Sequence, residues 1–277
     1  MKIAVAPNPV KKRAPACAQA AAALLEGCGC QVVLVQGLYG QGPAKEAAQR
    51  AVAGCHMVLA VGGDGTIIAA AKLAARLDIP VLGVNAGKLG FTAGLESREL
   101  ELLPRLAAGD YQEERRMMLE ITLVSDGQRR AFTALNDGVI SAELAKIVEY
   151  RMAVGEGQAY NYRADGFIVA TPTGSTAYSL SAGGPVVEPN MDCMIYTPIC
   201  PHSLFNRSVV FAPDTRLTVE IPRNRGSLFL TVDGETPVEL LEGDRLCFAR
   251  RAGAVRFIRL GEHNFYDTLN EKLLEGQ

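Results

Sequence analysis

Met57-Val58-Leu59-Ala60-Val61, followed at once by Gly62-Gly63-Asp64-Gly65-Thr66, decides how the first part of the chain folds. Five consecutive apolar residues ended by paired glycines read as a short buried strand. Thr66 to Leu77, rich in Ala and free of Gly and Pro, reads as the helix that follows. The same alternation runs on both sides. Lys2 to Ala6, Gln31 to Val35 and Pro80 to Val84 are strand signals, and Pro15 to Glu26, Lys45 to Ala53 and Ser97 to Ala107 are helix signals. Strands parted by helices of about a dozen residues require right-handed crossovers, hence an α/β domain with a parallel, Rossmann-like sheet over residues 1–110.

From Tyr111 the texture changes. Glu120 to Val124, Arg130 to Leu135, Gly138 to Ile140, Ile147 to Val154 and Gly166 to Thr171 are short strand candidates. Ser208 to Phe211, Thr215 to Ile221, Ser227 to Val232 and Val255 to Leu260 continue them, with turns such as Ser125-Asp126-Gly127 and Val232-Asp233-Gly234 between. Residues 111–260 are therefore expected to form a β-rich sandwich domain. Phe265 to Leu274, within a terminal segment 261–277, is expected to be a helix packing back on the first domain.

Bulk properties narrow the partners. Twenty-eight Lys and Arg against thirty Asp and Glu leave a net charge of −2, so no field of one sign points to nucleic acid or an anionic membrane surface. Gly, Pro or charge interrupts every apolar run short of a membrane span, and the first residues read as a strand and a turn rather than a signal peptide. Seven cysteines show neither Cys-x-x-Cys nor zinc-ligand spacing, which fits reduced thiols in the cytoplasm.

The chemistry concentrates in Gly62 to Thr66. Glycines between a strand and a helix leave no side chain to block a phosphate, and the N–H groups and dipole of the helix start favour an anion. Neither G-x-x-x-x-G-K-[ST] nor G-x-G-x-x-G occurs here, so a phosphate would be held by backbone and a divalent metal rather than by a loop lysine. Asp64 would repel that phosphate unless it served as the base that phosphoryl transfer needs beside an attacking hydroxyl. The alternative is that Asp64 merely caps the helix.

This loop resembles the diphosphate-binding loop shared by NAD kinases, diacylglycerol and sphingosine kinases and phosphofructokinases. Three further stretches resemble NAD kinases in particular: Asn85-Ala86-Gly87-Lys88-Leu89-Gly90-Phe91, Leu135-Asn136-Asp137-Gly138-Val139, and the long run from Asp165 to Pro185. Thr197 to Leu204 and Val232-Asp233-Gly234 complete the family's order. The residues of the long run also make chemical sense unaided. Thr171-Pro172-Thr173-Gly174-Ser175-Thr176-Ala177-Tyr178 is too small and hydroxyl-rich for a core strand, and offers hydroxyls and one ring to a flat polar ligand. Asn136 can both donate to and accept from an adenine edge, and Asp137 can take two ribose hydroxyls, although Asn136-Asp137-Gly138 also spells a turn.

The resemblance implies a specific reaction. ATP would lie with its phosphates on Gly62, Gly63, Asp64, Gly65 and Thr66, with Mg2+ between the oxygens. Asp64 would take the proton of the adenosine 2′-hydroxyl of NAD as that oxygen attacks the γ-phosphorus, giving NADP. The adenosine half of NAD would sit between Asp64, Asn136-Asp137 and the segment Thr176, Ala177, Tyr178, Ser179, Leu180 and Ser181, with Thr173 beside them. Arg163 and Asp165 would line the same site, often across a subunit boundary in this family, which implies a homodimer or homotetramer. Two positions depart from many relatives: Ile67-Ile68 replaces Leu-Arg after Thr66, and Glu235 replaces a glutamine. Either could alter donor or nucleotide preference. His202 reads as a structural hydrogen-bonder. The rival readings are a lipid kinase of the same superfamily, which would leave the Thr171 to Pro185 run unexplained, and a catalytically silent NAD-binding sensor, against which Asp64 argues.

Overall fold

The computed structural model describes the chain apart from residues 88–89, 144–145, 203–205, 223–225, 262–263 and 276–277. Its first elements are β1 (Lys2–Pro7), α1 (Ala14–Gly27), β2 (Gln31–Leu34), α2 (Gly42–Ala53), β3 (Met57–Gly62), α3 (Asp64–Leu77), β4 (Val81–Asn85), β5 (Leu95–Glu96) and α4 (Leu103–Ala108). Then follow β6 (Gln112–Ser125), β7 (Gln128–Ala134), β8 (Asp137–Ala142), β9 (Val148–Val154), β10 (Tyr160–Ala164) and β11 (Gly166–Ala170). The short α5 (Tyr178–Ser181) precedes β12 (Met194–Ile199), β13 (Val209–Phe211), β14 (Leu217–Glu220), β15 (Leu228–Val232), β16 (Val238–Leu240), β17 (Arg245–Arg259) and α6 (Phe265–Glu275). The chain divides into two compact units, Met1–Arg115 with Val255–Gln277, and Arg116–Ala254.

In the first unit, β2, β1, β3 and β4 lie side by side, all parallel, with Ala4 opposite both Val33 and Val58 and Leu59 opposite Leu82. Every residue of β3 is buried, as a central parallel strand covered on both faces must be. Ile3, Val5, Leu59, Val61, Leu82 and Val84 pack against Ala18, Ala21 and Leu25 of α1 and Leu103 and Leu106 of α4. On α3, Ile67 rests where a side chain on Gly83 of β4 would stand, so that glycine lets helix and strand approach closely. Phe257, in the last part of β17, joins β4 parallel opposite Val81. The expected helix over Ser97 to Ala107 is shorter. A 3-10 turn at Leu100–Leu102 leads into α4, and Pro104 fixes where the α-helix proper can start.

The second unit is an antiparallel sandwich, as the turn spacing predicts. One sheet runs β13-β12-β11-β8-β15-β16, and the facing strands β10, β9, β14 and the first part of β17 pair antiparallel. Between them pack Ile140, Phe167, Val169 and Leu230 with Met152, Leu217, Val219 and Phe248, and Tyr150 and Tyr196 join their hydroxyls at 2.5 Å inside this core. Strands β10, β12 and β16 carry no clear local signal. Pro198 argues against β12 as an inner strand, yet it is tolerated because β13 pairs only with Met194 to Tyr196 and ends before it.

Candidate active site

Helix α3 begins at Asp64, two residues before Thr66, with Gly63 extended as its N-cap and no side-chain cap hydrogen bond. The capping alternative for Asp64 therefore falls. Its carboxylate instead reaches the segment after β4. The Phe91 N–H donates to Oδ2 at 3.2 Å, the Thr92 N–H to Oδ1 at 3.1 Å, and the Thr92 hydroxyl to Oδ1 at 2.6 Å. Three donors hold the carboxylate and compensate its charge beside the positive end of α3. Gly90 makes the approach possible, since a Cβ there would overlap the Asp64 carboxylate.

The loop itself is braced. The Ala86 N–H donates to the Gly62 carbonyl at 3.0 Å. Asn85, 1% exposed, donates through Nδ2 to both Glu96 carboxylate oxygens, at 3.1 and 2.9 Å, and accepts the Gly87 N–H on Oδ1. It is a structural brace of the Asn85 to Phe91 stretch, of which Lys88 and Leu89 lie outside the described residues. Thr66 is buried and its hydroxyl accepts from Asn8 Nδ2 at 2.8 Å, so that oxygen is engaged within the protein. Gly62 is glycine because a Cβ would strike the Thr66 side chain. Gly65 is exposed, and Gly63 has open space where a side chain would be. Ile68 is buried, so it contributes to the core rather than to an anion contact.

In the second unit the organising group is Asp233. It stands at positive φ (48°) in the turn after β15. Its carboxylate accepts the backbone N–H groups of Leu135, Asn136 and Asp137 at 2.9, 2.8 and 3.1 Å. The Asp233 N–H returns a bond to the Asp137 carbonyl at 3.0 Å. Asn136 and Asp137 thus sit in a fixed strand entry, not in a free turn, with Asn136 half-buried and Asp137 4% exposed. Burial, and secondarily the nearby Asp233 charge, push the Asp137 carboxyl up from 3.8 to about 7.

A raised folded-state pKa means that the folded protein holds this proton more tightly than the unfolded chain does. The stabilisation is fully present below the ordinary carboxyl range and lost as pH rises through about 7. Asp137→Asn, which stays neutral, is therefore expected to raise the melting temperature relative to wild type at pH 8 and to lose that advantage at pH 4. An equal difference at both pH values would contradict the assignment.

Thr171 to Ser175 are all buried, so the run is hydroxyl-rich but not surface-facing. The Thr171 hydroxyl donates to the Leu135 carbonyl at 2.5 Å and accepts the Gly174 N–H at 3.1 Å. A Cβ on Gly174 would overlap the Asn136 carbonyl, so this glycine packs the run onto the Asn136 backbone. Ser179 is buried with its hydroxyl 3.0 Å from Thr197 Oγ1, which makes it internal. Thr176 Oγ1 donates to the Thr173 carbonyl at 3.4 Å. Ala177 separates the 3-10 turn Thr173–Thr176 from α5, where Tyr178, Leu180 and Ser181 are exposed. Thr173 differs from its neighbours: Oγ1 is buried and has no hydrogen-bond partner among the described residues.

Arg163 is exposed at the end of β10 with Nε 3.3 Å from Glu149 Oε1, and Asp165 Oδ1 lies 3.5 Å from His202 Nε2. The His202 N–H donates to the Arg163 carbonyl at 2.8 Å, which joins these residues into one edge cluster in the role expected of His202. The remainder of the Thr197 to Leu204 stretch, residues 203–204, lies outside the described residues. Glu235 is exposed, its N–H closing the turn onto the Val232 carbonyl.

Residues 3–111 match the model of the ATP-NAD kinase N-terminal domain, and residues 135–260 that of the ATP-NAD kinase C-terminal domain. An NAD kinase of Symbiobacterium thermophilum is 49% identical over 220 residues, covering 78% of each chain. One of Natranaerobius thermophilus is 42% identical over 225 residues, covering 80% of this chain and 79% of its own. The chain belongs to the NAD kinase family. The fold agrees with two solved structures. Yeast NADH kinase complexed with NADH superposes with a TM-score of 0.84 at 22% identity, covering 99% of this chain and 87% of its own. An Archaeoglobus fulgidus NAD kinase in complex with ATP gives 0.75 at 24% identity, covering 99% of both chains.

Within this NAD kinase fold, four supporting groups were not singled out as site residues by sequence: Asn8 on Thr66, Thr92 and the Phe91 N–H on Asp64, and Asp233 beneath Asn136-Asp137. Asp233 and Phe91 lie inside recognisable family stretches, which is the signal that could have found them. Asn8 and Thr92 lie outside those stretches, and only their tertiary partners mark them.

Proposed function

We propose that this protein is an ATP-dependent NAD kinase that phosphorylates the 2′-hydroxyl of the adenosine ribose of NAD. The observation that carries the reading is Asp64. This carboxylate sits at the start of the helix after a Gly-Gly turn and is fixed by three donors from the segment that follows β4. Oδ2 accepts one of those bonds and Oδ1 two, so Oδ2 keeps the lone pair that takes the 2′-hydroxyl proton. As the proton leaves, the 2′-oxygen forms its bond to the γ-phosphorus, the bond to the β,γ-bridging oxygen breaks, and ADP departs.

Gly62, Gly63, Gly65 and the backbone at the start of α3 hold the ATP phosphates. Asn136 reads the adenine, Asp137 the ribose, and the buried Thr173 hydroxyl and exposed Tyr178 complete the nucleotide contacts. Glu235 follows the Asp233 turn beside Asn136-Asp137, whereas Arg163 and Asp165 lie at the opposite end of β11, and this exposed Arg163 edge supports a homodimer or homotetramer in which it lines the site of a second copy. Among the described residues no group of three or more His, Cys, Asp and Glu is placed to cage a metal. Mg2+ would instead be held through one carboxylate and substrate phosphates, its usual mode outside an all-protein cage. Asp64 is the carboxylate that could reach it, and the ion would neutralise charge on the phosphate oxygens. Seven cysteines, all unpaired, support a reducing, cytoplasmic setting.

The test is a coupled assay with ATP, Mg2+ and either NAD or diacylglycerol, in which an NADP-specific dehydrogenase reports product. NADP formation from NAD and no phosphorylation of diacylglycerol is expected. A phosphorylated lipid, or bound NAD without any NADP, would overturn the reading.

A further inference from the structure

The Phe91 N–H is one of the three donors that fix Asp64, and its side chain is gripped by a helix far along the chain. The Phe265 ring lies 6.0 Å from the Phe91 ring, tilted by 45°, and Lys272 Nζ stands 4.1 Å from the Phe91 centroid. Both belong to α6 and, seven residues apart, share one face of it, together with the buried Thr268. The helix start is itself fixed. Asn264 Oδ1 accepts the Asp267 N–H at 2.9 Å and Asp267 Oδ2 accepts the Asn264 N–H at 3.3 Å, a reciprocal capping box that sets where Phe265 stands. An open cleft bordered by Gly90, Leu95, Glu96, Thr268 and Glu271 runs beside this contact. The cleft lies between α6 and the segment after β4.

We propose that α6 is a positioning element for catalysis, with Lys272 and Phe265 holding the Phe91 ring so that the Phe91 and Thr92 donors keep the Asp64 carboxylate aimed. The ring fixes the backbone at residue 91, and that backbone presents two N–H groups to Asp64. A cation over an aromatic face attracts it without needing a hydrogen bond, so Lys272 can act at the ring while its chain stays half-exposed. In this role Lys272 and Phe265 act through the Phe91 ring rather than on substrate. Their loss leaves binding groups in place and lets the base wander, a change read in kcat rather than in KM.

This inference rests on Asp64 as the base, and the tests separate the two. Lys272→Ala is expected to lower kcat about 3- to 10-fold, since small misplacements of a reacting group are costly, with KM for NAD and for ATP within about twofold of wild type. Lys272→Arg, which keeps a cation over the ring, should restore kcat to within about twofold. Phe265→Leu should reproduce the Lys272→Ala loss, and thermal melts should show each variant folded at the assay temperature. Unchanged kcat in Lys272→Ala, a Lys272→Arg as slow as the alanine variant, or a loss that follows only the unfolded fraction would each overturn the positioning role. Turnover retained by Asp64→Asn would instead remove the base assignment, and that substitution leaves α6 untouched.

Discussion

Asp64→Asn is expected to bind NAD with near wild-type affinity and to form NADP about 10²- to 10⁴-fold more slowly, the range a positioned base contributes. Asparagine keeps the volume of the side chain, so the Gly90 contact still fits. Its amide oxygen can still accept the Thr92 N–H and hydroxyl, but its NH2 group then faces the Phe91 N–H, donor against donor. That mismatch costs about 1–3 kcal/mol of stability, small enough to keep the protein folded and visible in a thermal melt. The amide also has no lone pair basic enough to take a proton from the 2′-hydroxyl. Calorimetry for NAD and the coupled assay for NADP read the two effects separately. Turnover within tenfold of wild type would remove Asp64 from its role as base.

Asp233→Ala carries the second large effect. The carboxylate satisfies three consecutive backbone N–H groups, those of Leu135, Asn136 and Asp137, and hydrogen bonds to a charged group are worth about 1.5–3 kcal/mol each before partial replacement by water. Alanine also sits poorly at φ 48°, whereas asparagine is tolerated there. The alanine variant is therefore expected to melt several degrees lower and to lose NAD binding, because Asn136 and Asp137 no longer have a fixed entry into β8. Asp233→Asn keeps one acceptor oxygen and the backbone conformation, and should fall between alanine and wild type in both readouts. Removal of the negative charge also relieves one of the two causes that raise the Asp137 carboxyl. Wild-type NAD affinity in Asp233→Ala would show that the three N–H bonds do not organise the nucleotide groups.

The parallel arrangement of β1, β3 and β4 was legible because each strand is a short apolar run ended by Gly, Asn or Pro, and because Ala-rich helices follow β1 and β3. The antiparallel sandwich was legible from its turn residues. What escaped was non-local. Residues 255–259 join β4 through Phe257 and Val81, a pairing no local pattern encodes. Strand β12 hid behind Pro198, which is harmless only because its neighbour β13 stops short.

The site divides in the same way. Gly-Gly-Asp-Gly reads as a phosphate loop, but whether Asp64 capped its own helix depended on residues 91 and 92, which hold its carboxylate from the chain beyond β4. The Thr171 to Tyr178 run reads as hydroxyl-rich and suited to a flat polar ligand. In the fold the Thr171 and Ser179 hydroxyls bond within the protein, and the Thr173 oxygen is buried without a protein partner among the described residues. Side-chain type marks which groups can bind a nucleotide, and burial decides which of them are already spent on the protein.

The most direct test is where the phosphate goes. The protein would be incubated with ATP, Mg2+ and either NAD or its analogue lacking the adenosine 2′-hydroxyl, with phosphorus NMR following the products. A monoester phosphorus on the 2′-oxygen of the adenosine ribose of NAD and none on the deoxy analogue is the predicted result. Phosphate elsewhere on NAD, or equal transfer to the analogue, would contradict it.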